Sequence, residues 1–146
     1  MNGKNATRAV TSVLLALSVF LLLPGPAVSS YSYRDIHPAG WFESRATCVN
    51  AQGDVAGYGS NASGERGFLW SSNAIVEILP PGASSARASW INGRGEVAGT
   101  AVIGGQPHAF IYSNGVYSDP TPGWVYSEAT HIGEDGSVSG TGELGA

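Results

Sequence analysis

Residues 50–57, Asn50-Ala51-Gln52-Gly53-Asp54-Val55-Ala56-Gly57, recur in modified form as residues 92–99, Asn92-Gly93-Arg94-Gly95-Glu96-Val97-Ala98-Gly99. The offset is 42 residues, and a looser copy at residues 133–140 follows after 41 more. The first two copies open with an Asn-x-x-Gly turn, in which the Asn side chain can bond the backbone two residues on and Gly permits a positive φ. A turn that leads into a small-residue strand at this fixed spacing predicts a repeated β unit.

The sequence around these turns also repeats, so each unit is predicted to contain four short strands. Residues 46–49 form the first strand and residues 55–59 the second, whose glycines predict bulges or a close approach of a neighbouring strand. The third strand is the aromatic segment Gly67-Phe68-Leu69-Trp70, matched by Ala109-Phe110-Ile111-Tyr112, and the fourth covers residues 74–79. The matching strands of later units are residues 97–101, 116–119 and 138–142.

The fold prediction is an all-β, propeller-like array of four-stranded repeats of roughly 42 residues. The predicted β-repeat domain covers residues 31–146. It divides into a partial unit 31–45, units 46–87 and 88–128, and a partial unit 129–146. Residues 31–36 resemble the fourth strand of an earlier unit and are candidates to complete the last one. Because a propeller needs roughly four to eight blades, self-association into a ring, an open stack of sheets and a truncated piece of a longer protein all remain open.

Residues 1–30 are predicted to be a secretory signal peptide with a helical apolar region. Lys4 and Arg8 precede an apolar run over residues 9–23, which is too short for the roughly 20 residues of a membrane span. Small residues follow, and cleavage is predicted after Ser29 or Ser30. The mature chain is therefore expected to be secreted, extracellular or periplasmic, and free of the membrane.

Composition and charge exclude several classes of protein. Only 12% of the residues are charged, and removal of the predicted signal peptide changes the net charge from −4 to −6 because two basic residues leave with it. An acidic chain with scattered arginines is a poor partner for nucleic acid. The single cysteine, Cys48, excludes an internal disulfide framework, and we predict neither a metal site nor a cofactor.

The segment His108-Ala109-Phe110, followed by Ile111-Tyr112-Ser113-Asn114-Gly115, resembles the signature of the HAF family of probable extracellular repeats. Residues 91–99 are similar to that family's other block, a turn that enters a Val-x-Gly strand. The first unit has Arg66-Gly67-Phe68 at the place of His-Ala-Phe, and the last partial unit lacks the segment. The resemblance covers about residues 33–142. It implies secretion, mostly from bacteria, and a repeat architecture, but it transfers no catalytic residue.

Two groups of residues are candidates for ligand binding. Asp35, Glu77 and Asp119 share one register of the repeat, where a cation or sugar hydroxyls could bind them, although a solvated strand end explains them as well. Trp41 and Trp124 are predicted to lie in loops after Pro-Gly-containing turns, where they could form a recognition surface or pack over a sheet edge. The histidines occupy different phases of the repeat, so no catalytic residue is predicted.

These observations favour a secreted, non-enzymatic binding or surface-interaction module for a protein, a glycan or a second copy of the chain. The alternative is a secreted hydrolase of a polymer such as a polysaccharide, in which Asp35, Glu77 or Asp119 supplies the carboxylates. Such an enzyme needs two carboxylates that face each other across a cleft. A third possibility is a truncated fragment without an independent function, which would expose an unpaired strand edge.

Overall fold

The computed structural model describes residues 31–145, and over this range the chain is all-β, as predicted, with three antiparallel sheets and no helix. None of the three sheets is closed. The strands are β1 (Glu43–Val49), β2 (Val55–Asn61), β3 (Gly64–Ser71), β4 (Ala74–Ile78), β5 (Ala83–Ile91), β6 (Val97–Ile103), β7 (Gln106–Ser113), β8 (Val116–Ser118), β9 (Trp124–Ile132) and β10 (Val138–Leu144).

The order of strands in the sheets follows the order of the sequence. The first sheet is β1-β2-β3-β4, the second is β5-β6-β7-β8, and the third contains β9 and β10. The predicted Asn-x-x-Gly turns join the first two strands of the first and second sheets. In them Gly53 and Gly95 have φ values of 87° and 76°, and each amide donates to the carbonyl oxygen of the turn's Asn at 3.1 Å. The turn chemistry therefore agrees with the prediction from the sequence.

The first strand of each sheet carries a bulge opposite a glycine of the second strand. In β1 the register shifts between Ala46 and Cys48, and Gly57 pairs with Ala46. β5 has the same shift opposite Gly99, and β9 has it opposite Gly140. A Cβ atom on Gly99 would lie 2.7 Å from Phe110 Cζ, which is closer than real side chains allow. These glycines mark both bulges and close approaches, which confirms the prediction made for them.

The sheets pack against one another through their first strands. β5 contacts all four strands of the first sheet, and β9 contacts β5, β6 and β7 of the second. The first core cluster, between the first two sheets, contains Ala56, Ile78, Ala86, Ala88, Ile91, Val97, Ala101, Phe110 and Tyr112. The second core cluster, between the second and third sheets, contains the smaller set Ala98, Ala109, Ala129 and Ile132. Large aromatic side chains therefore fill one interface and not the other.

Asparagine side chains connect successive turns across these interfaces. Asn50 Nδ2 donates to the carbonyl oxygen of Asn92 at 3.0 Å, and Asn92 Nδ2 donates to that of Gly133 at the same distance. Each Asn Oδ1 also accepts two backbone N–H groups of its own turn. The residue that closes a turn therefore also holds the next sheet in register.

Three expectations from the sequence need correction or lie outside the described residues. Residues 31–36 form no strand, because none of the described strands pairs with their backbone; within this segment Arg34 lies over the Trp70 ring at 5.1 Å. Trp124 is the first residue of β9 and not a loop residue. The predicted signal peptide with Ser29 and Ser30 lies outside the described residues. Within them, no helix is long and apolar enough to cross a membrane.

Candidate binding cleft

A cleft of about 620 Å³ lies between the second and third sheets. Ala109 and Ile111 of β7 form its wall on the second sheet, and alternate residues of β10 form its wall on the third. Its lining residues are Ala109, Ile111, Pro120, Thr121, Trp124, Ser127, Glu128, Gly136, Val138, Gly140, Thr141 and Gly142. The cleft thus combines alkyl and aromatic surface with hydroxyl groups, and Glu128 is the acidic residue among those that line it, a mixture that is typical of ligand sites of this size.

A tight turn places Trp124 at the end of this cleft. The amide of Trp124 donates to the carbonyl oxygen of Thr121 at 3.1 Å, and Gly123 between them has a φ of 84°. Pro122 precedes Gly123, which is the arrangement that a type II turn favours. The indole then packs on the backbone of β10, where a Cβ atom on Gly142 would lie 2.6 Å from Trp124 Cε3. The glycine is what allows the ring to lie flat against the strand.

A chain of hydrogen bonds runs along one side of the cleft. The amide of Ala109 donates to Ser127 Oγ at 2.9 Å, and Ser127 Oγ lies 2.7 Å from Thr121 Oγ1. Thr121 Oγ1 donates in turn to Asp119 Oδ1 at 3.2 Å. Because Thr121 uses its proton on the carboxylate, the proton between the two hydroxyls belongs to Ser127. This chain fixes the orientation of both hydroxyls and satisfies the buried Ser127 side chain.

The edge of β10 next to the cleft differs from the corresponding parts of β2 and β6. Ala56, Gly57, Ala98 and Gly99 are buried, whereas every residue of β10 after Val138 is exposed. Among the strands of residues 31–145, β2 and β6 each lie between two neighbours, whereas β10 pairs with β9 alone. Its outer backbone N–H and C=O groups are therefore available to another strand.

Charged side chains support the turns beside the cleft. Arg94 and Asn92 both donate to Glu96 Oε2, at 2.6 Å each, and these hydrogen bonds lower the pKa of Glu96. Glu134 accepts from the amide of Gly93 through both carboxylate oxygens, so it ties the turn of the third sheet to that of the second. Hydrogen bonds from Ser137 lower the pKa of Asp135 in the same region. The resulting polar rim aligns the two sheets that bound the cleft.

The structure places the three predicted carboxylates at separate positions. Asp35 lies before β1 and accepts from the amide of His37. Glu77 lies on β4 and pairs with Arg66, with 3.3 Å between Oε1 and Nε. Asp119 follows β8, where it ends the hydroxyl chain described above and lines a smaller cleft of about 310 Å³. Each carboxylate has its own local partners, so the shared register does not bring the three together.

The two predicted tryptophans occupy corresponding positions in the first and third sheets. Trp41 packs on Gly59 and meets the Phe68 ring edge-on, with 6.0 Å between centroids. Trp124 packs on Gly142 in the same manner but faces the open cleft. Of the five candidate ligand-binding residues, Trp124 alone lines the cleft of about 620 Å³.

The histidines and the cysteine lie apart from one another and form no common site. His131 stacks with Trp90 at 4.7 Å, and the His37 ring bonds Ser44 Oγ and the Trp41 carbonyl oxygen. Cys48 is a half-buried free thiol. Over the described part of the chain, no three His, Cys, Asp or Glu side chains lie close enough together to hold a metal ion.

Three lining residues, Ser127, Thr121 and Glu128, were not identified from the sequence. Ser127 and Glu128 lie within β9, and neither carries a local motif. Their proximity to Ala109 depends on how the third sheet packs on the second. The signal that was available in the sequence was the Thr-Pro-Gly-Trp turn over residues 121–124, which fixes the start of β9.

No family model matches the chain, and neither a curated protein nor a solved structure is significantly similar to it.

Proposed function

We propose that the chain is a secreted, non-enzymatic binding module built on a propeller-like array of β units, of the kind that the HAF-like sequence implies. The observation that carries this proposal is the cleft beside Trp124, with its apolar walls and fixed hydroxyls. A volume of about 620 Å³ is within the roughly 300–1,000 Å³ of ordinary ligand sites. A half-buried tryptophan ring beside oriented hydroxyl groups suits recognition of a polypeptide or a glycan.

Contacts that recur at nearly the same spacing support the array. The Asn50–Asn92 and Asn92–Gly133 hydrogen bonds span 42 and 41 residues. The Thr47 hydroxyl donates across the first interface to the carbonyl oxygen of Ala88 at 3.0 Å. Because each sheet is fixed on the next by backbone-directed hydrogen bonds and a packed core, the cleft has rigid walls. A rigid scaffold reduces the entropy lost when a ligand binds.

The proposal is tested by presenting the full chain to three kinds of partner. Peptide and glycan arrays test heterologous ligands, and light scattering across a range of concentrations tests self-association. For any ligand found, we expect Trp124→Ala to weaken binding about tenfold or more, as for a central aromatic contact. Trp41→Ala is the matched control, since Trp41 occupies the corresponding place in the first sheet, and it leaves the affinity unchanged.

Two results would overturn the proposal. One is the absence of binding in all three formats by a chain that melts cooperatively. The other is the release of shorter oligosaccharides from a polysaccharide, which would assign a hydrolase. Trp124→Phe guards against a folding artefact, because phenylalanine keeps aromatic packing on Gly142 and retains most of the affinity.

A further inference from the structure

The second core cluster lacks the aromatic side chains that fill the first. In the first cluster, Phe110 and Tyr112 project from β7 towards the first sheet and are 3% and 8% exposed. They lie opposite Gly99 and Val97 of β6, respectively. In the third sheet the corresponding residues of the second strand are Gly140 and Val138, and both line the cleft. The same two positions are therefore covered by aromatic rings in one sheet and open to the cleft in the other.

A glycine at this position leaves space for an aromatic ring against the strand. A Cβ atom on Gly57 would lie 2.5 Å from Phe68 Cζ, and one on Gly99 would lie 2.7 Å from Phe110 Cζ. On Gly140 the three atoms nearest to a Cβ atom would be backbone atoms of β9, with no aromatic ring among them, so a phenyl ring can take the place that Phe68 and Phe110 occupy beside Gly57 and Gly99. The wall that faces it, Ala109 and Ile111 of β7, is apolar.

We infer that β10 and the cleft bind an extended polypeptide segment with a small-Phe-aliphatic-aromatic pattern, which pairs as an antiparallel strand with the edge of β10. This inference rests on the proposed function and names the class of partner. The register follows from the β2–β3 and β6–β7 pairs: phenylalanine lies opposite Gly140, and the second aromatic residue lies opposite Val138. Backbone hydrogen bonds supply affinity and the two rings supply specificity, as in other β-strand additions.

The strand register extends the predicted motif by two residues. In β3 and β7 the residue two positions before the phenylalanine is Arg66 or His108. Arg66 lies opposite Gly59 and His108 lies opposite Ala101. The corresponding residue of β10 is Gly142. A segment that continues this pattern places Arg or His opposite Gly142, on the face of β10 where the Trp124 ring packs.

The experiment uses the full chain and a labelled synthetic peptide with the sequence of residues 106–113, Gln-Pro-His-Ala-Phe-Ile-Tyr-Ser. We expect a saturable rise in fluorescence anisotropy. The matched control peptide, in which Phe110→Ala is the only change, binds about tenfold more weakly or worse. Hydrogen exchange of the complex shows new protection in the amides of β10, while those of the outer strands β4 and β8 are unchanged.

Three results with the peptide would overturn the inference. The peptide and its Phe110→Ala form bind equally, protection appears at β4 or β8 instead of β10, or no binding occurs. Concentration-dependent dimers that protect β10 without the peptide assign this edge to a second copy and also overturn it. A glycan ligand that needs Trp124, together with no peptide binding, refutes this inference and leaves the proposed function intact.

Discussion

The side-chain amide of Asn50 donates to the backbone carbonyl oxygen of Asn92, 42 residues away, at 3.0 Å. Asn92 repeats the contact with Gly133 at 3.0 Å, so three turns on three sheets form one hydrogen-bonded row. In each Asn, Oδ1 organises its own turn while Nδ2 reaches the next sheet. One residue type thereby links local turn formation to the packing of sheets.

Asn92 is expected to contribute more to stability than any other turn residue in this row. Its side chain is 2% exposed and takes part in hydrogen bonds to its own turn, to Glu96 and to Gly133. Asn92→Ala leaves the partly buried N–H groups of Arg94 and Glu96 and the Gly133 carbonyl oxygen without that partner. We expect it to lower the free energy of unfolding by about 2–4 kcal/mol, measured by urea titration.

Asn50→Ala is the matched comparison for Asn92→Ala. Asn50 makes the corresponding bonds from a half-buried position, where water can replace part of what is lost. The loss is expected to be smaller, about 1–2 kcal/mol. Equal losses for the two variants would contradict the role assigned to burial.

Stability is expected to fall at acid pH partly through Glu96. Hydrogen bonds from Arg94 and then from Asn92 lower the pKa of Glu96 below the value of 4.5 that applies to an unperturbed glutamate. A carboxylate whose pKa is lower in the folded than in the unfolded state stabilises the fold above its unfolded pKa. That contribution is lost as the pH falls through the folded pKa.

Glu96→Gln therefore lowers stability at neutral pH and flattens the decline in the free energy of unfolding below about pH 5. Chemical denaturation at a series of pH values measures this slope. Arg94→Met removes the largest cause of the lowered pKa, so it brings the folded pKa of Glu96 closer to the unfolded value and makes the decline smaller. A Glu96→Gln chain with the wild-type acid slope would refute the assignment.

Gly99 is expected to tolerate no side chain. A Cβ atom there would lie 2.7 Å from Phe110 Cζ and would also collide with the carbonyl oxygen of Arg87. Gly99→Ala forces the bulge and the buried ring apart, and we expect a loss of about 2–4 kcal/mol.

Comparison of Gly123→Ala with Gly99→Ala distinguishes the cost of backbone strain from the cost of a steric collision. A Cβ atom on Gly123 would have no neighbour within 4 Å, but the residue has a φ of 84°. The expected cost is about 1–2 kcal/mol, which is that of the left-handed conformation alone. Thermal melts of the two variants compare these costs directly, and a larger effect at Gly123 would contradict the packing argument.

The ion pair between Arg87 of β5 and Glu65 of β3 is expected to contribute little despite its geometry. Its two hydrogen bonds measure 2.7 and 2.8 Å, and Arg87 also lies over the Tyr58 ring at 4.9 Å. The hydrogen bond to Glu65 raises the pKa of Arg87, but the Arg87 side chain is 58% exposed and water screens the pair. A double-mutant cycle with Arg87→Met and Glu65→Gln should give a coupling of about 0.5–1 kcal/mol that decreases with salt. A coupling that is larger and insensitive to salt would contradict this.

Local signals in the sequence were enough to predict the turns, the bulges and the all-β class. Asn50 and Gly53 form their turn with the residues between them, and the glycines opposite the bulges recur at a nearly constant spacing. Turn and bulge formation depend on the conformational preferences of a few consecutive residues, so the sequence shows them directly. Asp35, Glu77 and Asp119 show the limit of such reasoning. A shared register in the sequence does not fix the distance between them, because Asp35 lies before β1, Glu77 on β4 and Asp119 after β8.

The lining of the cleft was decided by tertiary packing. Ser127 meets Ala109, and Val138 faces Ile111, only because β9 lies across the second sheet at one particular register. Residues 31–36 have the composition of a strand, but a strand forms only where a neighbour satisfies its backbone groups, and none of the described strands pairs with them. For Trp124 both levels contribute. The local turn fixes its backbone, and the packing of the third sheet on the second places its ring beside the cleft.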